Sequence, residues 1–163
     1  MNKSKFSLVK VVFAAFLLAT GLFLTSCDFG VGSAKAELYG DWVSAWGEKY
    51  SITKTDYDNY YTDYVTGEEY LYYSTNNIEI KFVTDDSGFI YCQFNDADHI
   101  GYGAEVGQWY ALYFQDLTEN SVSFGQPYKA DGKAGCDTLK EAKKEYTIDN
   151  GYFNLSMLSE CTK

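Results

Sequence analysis

Apolar and polar residues alternate along most of the chain, the period of a strand with one buried face. In Tyr50-Ser-Ile-Thr53, Tyr50 and Ile52 share a face. Over residues 57–65, Tyr57, Tyr61 and Val65 fall on one face and Tyr60 and Tyr64 on the other. Thr66-Gly67-Glu68 reads as a turn, and Tyr70–Tyr73 opens a further strand. Ile78-Glu-Ile-Lys-Phe-Val83 alternates cleanly and predicts Ile78, Ile80 and Phe82 inward. Asp85-Asp-Ser-Gly88 has the residues of a hairpin turn, because Gly takes positive φ and Asp caps locally. Phe89–Phe94 returns as its partner, with Cys92 on the face of Ile90 and Phe94. Strands follow over Gln108–Gln115 and Ser121–Phe124, joined by Leu117-Thr-Glu-Asn120.

A helical period occurs at one place after these strands. Thr138-Leu-Lys-Glu141 is a capping-box pattern, Asp137 adds negative charge at the N-terminus, and Leu139, Ala142 and Tyr146 share a face. The spacing predicts a short helix ending near Glu145, then a last strand over residues 146–158 broken by an Asn150-Gly151 turn. The expected fold is mainly β: a small antiparallel barrel of seven or eight strands with one short helix. Closure would remove the exposed edges that so many strands otherwise leave.

The N-terminus has a different pattern. Lys3, Lys5 and Lys10 precede an apolar run from Val11 to Thr25. The run has signal-peptide length and is short for a spanning helix, which needs about 20 residues. It closes with Leu24-Thr25-Ser26-Cys27, which resembles the lipobox of bacterial lipoproteins. That resemblance implies a signal peptide over residues 1–26, cleavage before Cys27, and acylation of the Cys27 thiol and new amino group. Two or three acyl chains, at ~0.8 kcal/mol per buried CH₂, make a stable anchor. Asp28 resembles the inner-membrane retention signal of enteric bacteria; other phyla do not follow it, and the outer membrane or cell surface is the expected location. Residues 27–37, with Gly30, Gly32 and Ser33, read as the lipidated Cys and a flexible tether. Residues 38–163 form the folded domain.

Gly40-Asp41-Trp42, just before the first expected strand, resembles the G-x-W that opens lipocalin-like (calycin) barrels. The resemblance implies that Trp42 plugs a closed end, and that the late helix belongs to the same architecture. The family's Arg that packs on this Trp has no counterpart, because the chain contains no Arg. Thr62-Asp63-Tyr64 stands too near Trp42 to be the family's second motif. The mature chain as a whole is similar to small spirochaete surface lipoproteins of unassigned function, which bears on location more than on activity.

Charge narrows the partners. Removal of residues 1–26 takes three of the 13 Lys and none of the 23 acidic residues, leaving a net charge of −13. Nucleic acid is excluded as a partner, since phosphate binding needs a basic face. Adsorption to anionic headgroups is disfavoured too.

Cys92, Cys136 and Cys161 remain after Cys27, and three thiols allow one disulfide in three ways. Cys136–Cys161 is the expected pair, closing a loop worth ~3 kcal/mol by chain entropy. Cys92 reads as a small buried hydrophobe. Metal and cofactor sites are not expected: there is no C-x-x-C, and Asn95-Asp-Ala-Asp98 lacks EF-hand spacing. His99 is the single His, beside Asp96 and Asp98, with no nucleophile-elbow motif to serve. No catalytic set is expected.

The aromatics carry the functional signal. Seven tyrosines crowd into residues 57–73 and occupy both faces of that hairpin. One face is core; the other is a candidate recognition surface, because Tyr offers apolar area at low entropic cost and a hydroxyl. The candidate binding residues are Tyr60, Tyr64 and Tyr72, with Trp46 and Trp109 as candidates for a barrel mouth. The first reading is a non-catalytic interaction module for a protein or glycan; the alternative is a carrier of a small apolar ligand inside the barrel.

Overall fold

The computed structural model describes residues 29–100 and 103–163, with side chains from residue 34. The signal segment and Cys27 lie outside the described residues. Helix α1 (Phe29–Leu38) precedes eight strands: β1 (Gly40–Ser44), β2 (Glu48–Ile52), β3 (Tyr57–Thr62), β4 (Glu69–Phe82), β5 (Gly88–Phe94), β6 (Trp109–Gln115), β7 (Ser121–Gly125) and β8 (Ser159–Thr162). Helix α2 (Leu139–Glu145) lies between β7 and β8. Each strand pairs antiparallel with the next, and β8 pairs with β1, so the sheet closes into an up-and-down barrel.

Alternation sorts the side chains as the sequence predicts. Ile90, Cys92 and Phe94 of β5 and Tyr110, Leu112 and Phe114 of β6 point inward into one cluster, which Trp42, Tyr50, Tyr57, Tyr73 and Phe124 complete. The intervening residues, Phe89, Tyr91, Ala111 and Tyr113, form a second cluster on the outside of the wall. That face is covered by Ala142 of α2 and by Tyr146, Tyr152 and Phe153. The barrel therefore has a core inside and a smaller apolar layer outside its β5–β6 wall.

The topology gives the barrel two unlike ends. One carries the entry of the chain into β1, the short turns 53–56, 83–87 and 116–120, and the C-terminus. The other carries the β1–β2 and β3–β4 turns and the long connections 95–108 and 126–158. The first end is closed. Leu38 and Trp42 are fully buried there, and the Trp42 Nε1 donates to the Leu38 carbonyl (2.9 Å). Lys163 Nζ stands 4.5 Å from the Trp42 ring centroid and donates to the Glu37 carbonyl. A lysine from the far end of the chain thus supplies the cation over Trp42 in a protein without arginine.

Four sequence expectations change. The stretch read as a flexible tether is helical over Phe29–Leu38. Gly40-Asp41-Trp42 is itself strand, the start of β1. The runs 70–73 and 78–83 belong to one long strand, β4, with a register irregularity between Asn76 and Glu79 where Asn77 takes φ +52°. One extra residue reverses the parity of the alternation, so a single strand reads as two. Residues 146–158 form no strand, because Tyr146, Tyr152 and Phe153 are buried against the outer wall rather than paired into it. Asn150 does not turn a hairpin. Its Nδ2 donates to the Lys144 and Glu145 carbonyls (2.9 and 2.8 Å), satisfying the orphan carbonyls at the end of α2.

One local prediction holds in detail. Thr138 caps α2: its Oγ1 accepts from the Glu141 amide (3.2 Å), while the Glu141 carboxylate accepts from the Asp137 amide (3.3 Å). The β4–β5 hairpin forms where expected, but the reason for glycine is steric and not a positive φ: Gly88 opens β5, and a Cβ there would meet the Lys81 carbonyl at 2.2 Å.

The expected Cys136–Cys161 disulfide is not formed; both thiols are free. Cys161 of β8 belongs to the inner cluster, whereas Cys136 pairs with Trp109 and belongs to the outer one. The barrel wall separates two residues that would need Cα atoms about 4.4–6.8 Å apart to bond. Their sequence positions, before a helix and near a terminus, carry no information about which side of the wall each one occupies.

Candidate functional site: the aromatic mouth of the barrel

Inside the closed half, rings fill the space. The Tyr57 and Tyr73 hydroxyls hydrogen-bond each other at 2.7 Å, and Thr75 Oγ1 donates to the Tyr57 carbonyl at 2.6 Å. Tyr73 packs edge-on to Phe94 and Tyr110 at 5.9 and 5.6 Å between ring centroids. Every buried side-chain N or O among the described residues has a partner. Burial pushes the Tyr57 and Tyr73 hydroxyls well above the ordinary tyrosine range.

The filling stops below the open end. There a cavity of about 920 Å³ is floored by Tyr50, Phe124 and Asn59 and walled by Tyr61, Tyr70 and Tyr72. Tyr128, Tyr152, Met157 and Leu158, from the long connection before β8, overhang it. Its size is that of a small-molecule site, and its lining is aromatic with a few polar groups.

The β3–β4 pairing explains how the tyrosines reach this place. Asn59 pairs with Tyr73 and Tyr60 with Leu71, so Tyr72 is an extra residue with no partner on β3. Such a bulge re-aims a side chain, and here Tyr72 lines the cavity with a ring that is 59 % exposed. Tyr61 and Tyr70 sit opposite each other one step nearer the rim.

A single carboxylate enters the cavity. Glu48, at the first position of β2, accepts from Tyr50 Oη (3.1 Å) and Ser159 Oγ (2.6 Å), both on Oε2. Burial, then the charge of Glu48, raises the Tyr50 hydroxyl far above its usual value. Glu48 takes part in none of the ion pairs among the described residues, and no lysine lines this cavity. A neighbouring cavity of about 560 Å³ shares Tyr72, Gln126 and Tyr128 with it and does carry lysines, Lys129 and Lys133.

The five aromatic candidates part company. Tyr72 lines the mouth. Tyr64 (63 % exposed) packs edge-on to Tyr61 in the adjoining β3–β4 turn, and Trp46 (73 % exposed) lies in the β1–β2 turn at the same end. Tyr60 is on the outer face, its ring under Lys49 Nζ at 4.2 Å, away from the cavity. Trp109 is not at the mouth; it is half-buried in the outer cluster beside Cys136 and Leu139. Sequence reasoning missed Glu48, Tyr61, Tyr70, Tyr128 and Tyr152 as a group. The signal for Tyr61 and Tyr70 was present in the alternation, whereas Tyr128 and Tyr152 come from a connection without periodicity.

The remaining candidate chemistry is occupied locally. His99 Nδ1 lies 2.8 Å from Asp96 Oδ2, and this contact is the main cause that lowers the Asp96 carboxyl. Asp96 Oδ1 accepts from the Asp98 amide (2.9 Å), closing the loop on itself. Burial lifts the Cys92 and Cys161 thiols to about 12 and Cys136 to about 11, which removes thiolate character near neutral pH. Among the described residues no helix is long and apolar enough to cross a membrane.

Comparison with known proteins gives no match, whether to a family model, to a curated protein or to a solved structure.

Proposed function

We propose that this protein is a lipid-anchored, extracytoplasmic binding module that takes a small ligand at the mouth of its barrel and performs no chemistry on it. The observation that carries the reading is the aromatic cavity of about 920 Å³ at the mouth, above a buried cluster of rings. Rings exposed at one end of a closed barrel are an investment that stability alone does not require. The anchor rests on the Leu24–Cys27 lipobox and its basic, apolar leader. The chain enters β1 at the closed end, opposite the mouth. Trp42 with Lys163 over it supports the lipocalin-like resemblance, with Lys in place of Arg.

The placement favours a ligand held in the mouth over a large partner gripped by the outer tyrosine face, since Tyr60 lies under Lys49 and Trp109 is half-buried against the outer cluster. A protein or glycan that inserts one group into the mouth satisfies the same geometry. Native mass spectrometry of the chain purified from its membranes, before and after organic extraction, tests the reading. A non-covalent mass beyond the acyl chains, lost on extraction and lost in the Tyr61→Ser/Tyr72→Ser variant, is expected. A bare protein that no added amphiphile or saccharide loads would overturn it.

A further inference from the structure

We infer that the mouth cavity selects organic cations, specifically ammonium groups carried on an apolar or aromatic body; the inference rests on the binding reading above and names its ligand class. Three observations converge. The walls carry the exposed rings of Tyr61, Tyr70 and Tyr72 above a floor where Tyr50 and Phe124 stack on each other (4.7 Å between centroids), and exposed aromatic rings attract cations through the ring quadrupole. The one charged side chain in the lining is the Glu48 carboxylate. It accepts hydrogen bonds from Tyr50 and Ser159, both on Oε2, which hold it at the cavity wall.

The charge decides between ligand classes. A neutral apolar ligand filling the cavity would strip water from Glu48 without returning a counter-charge, an unfavourable burial. An anion would meet the carboxylate directly. A soft organic cation pairs with Glu48 while its methyl or methylene groups cover the rings, and the net charge of −13 on the mature chain draws it in. In the neighbouring cavity Lys133 is paired with Glu141, and the Lys129 ammonium stands 5.5 Å from the ring of Tyr152, which also lines the mouth: an aromatic ring of this lining already holds a cation.

The test uses the full chain in a sugar-headgroup detergent, titrated calorimetrically with three probes of one shape: phenyltrimethylammonium, its neutral carbon isostere tert-butylbenzene, and benzenesulfonate. Phenyltrimethylammonium is expected to bind at least tenfold more tightly than tert-butylbenzene, and benzenesulfonate not at all. Glu48→Gln keeps an acceptor for Tyr50 and Ser159 but removes the charge, and is expected to bring the two binding constants within about threefold. The probe pair on the unaltered protein decides the matter even if that variant fails to fold. Equal or tighter binding of tert-butylbenzene overturns cation selectivity and leaves the mouth as a ligand site. Absence of binding by all three probes, together with no extractable mass, overturns both readings.

Discussion

Tyrosine does opposite work at the two ends of this barrel. In the closed half, Tyr57 and Tyr73 are sealed, their hydroxyls spent on each other, and Trp42 sits under Lys163. At the mouth, Tyr61, Tyr70 and Tyr72 come from the same two strands, yet their rings border a cavity and water. The residue type, the strands and the alternation are shared. What differs is how far other rings close over them: Phe94, Tyr110 and Tyr72 all pack on Tyr73, which is 1 % exposed, while Tyr72 touches Tyr73 on one side (5.5 Å between centroids) and stays 59 % exposed. A sealed tyrosine contributes stability; a mouth tyrosine, on this account, contributes binding.

The comparison breaks most visibly in alkali. The folded hydroxyls of Tyr57, Tyr73 and Tyr110 are raised by burial above the unfolded value near 10. A raised folded pKa gives stability that is complete below the unfolded pKa and lost as pH climbs above it. Each group then removes ~1.4 kcal/mol per pH unit, so these three alone cost about 4 kcal/mol by pH 11. Denaturant midpoints are expected to be flat to about pH 9 and to fall steeply beyond pH 10. A midpoint unchanged at pH 11 would mean that these hydroxyls are not sealed.

Substitutions separate the ends next. Trp42→Ala removes the plug and the Lys163 contact and is expected to cost about 3–5 kcal/mol in chemical unfolding. Tyr73→Phe leaves the Tyr57 hydroxyl without its partner in a dry site and is expected to cost about 1–3 kcal/mol. Thr138→Ala, outside the wall, removes the α2 cap for ~1 kcal/mol. Tyr72→Ser at the mouth is expected to change stability by less than about 0.5 kcal/mol while weakening ligand binding. If Tyr72→Ser costs as much as Tyr73→Phe, the two ends are not different in kind.

The legibility of the sequence followed the same division. Hairpin 78–94, the inward face of β5, the β6–β7 pair and the α2 cap were readable, because each is a local pattern of alternation, turn residues or capping. Closure of the barrel required β8, four residues after a long connection whose buried Tyr146, Tyr152 and Phe153 imitate a strand. The mouth was half readable. Tyr64, Tyr72 and Trp46 stood out as surplus aromatics, but the extra residue that aims Tyr72 lies in the pairing of two strands and not in either one. Glu48 gave no signal, since a lone Glu at a strand start is ordinary until Ser159 and Tyr50 are seen around it. The disulfide expectation failed for the same reason: which side of a wall a cysteine occupies is a property of the closed sheet.

The most direct test is tyrosine nitration of the native protein followed by peptide mass mapping. Rapid modification is expected at Tyr64, Tyr72 and Tyr128, none at Tyr57, Tyr73 or Tyr110, and slowing at Tyr72 when phenyltrimethylammonium is present. Comparable nitration of the two sets, or a Tyr72 rate indifferent to the ammonium probe, would contradict it.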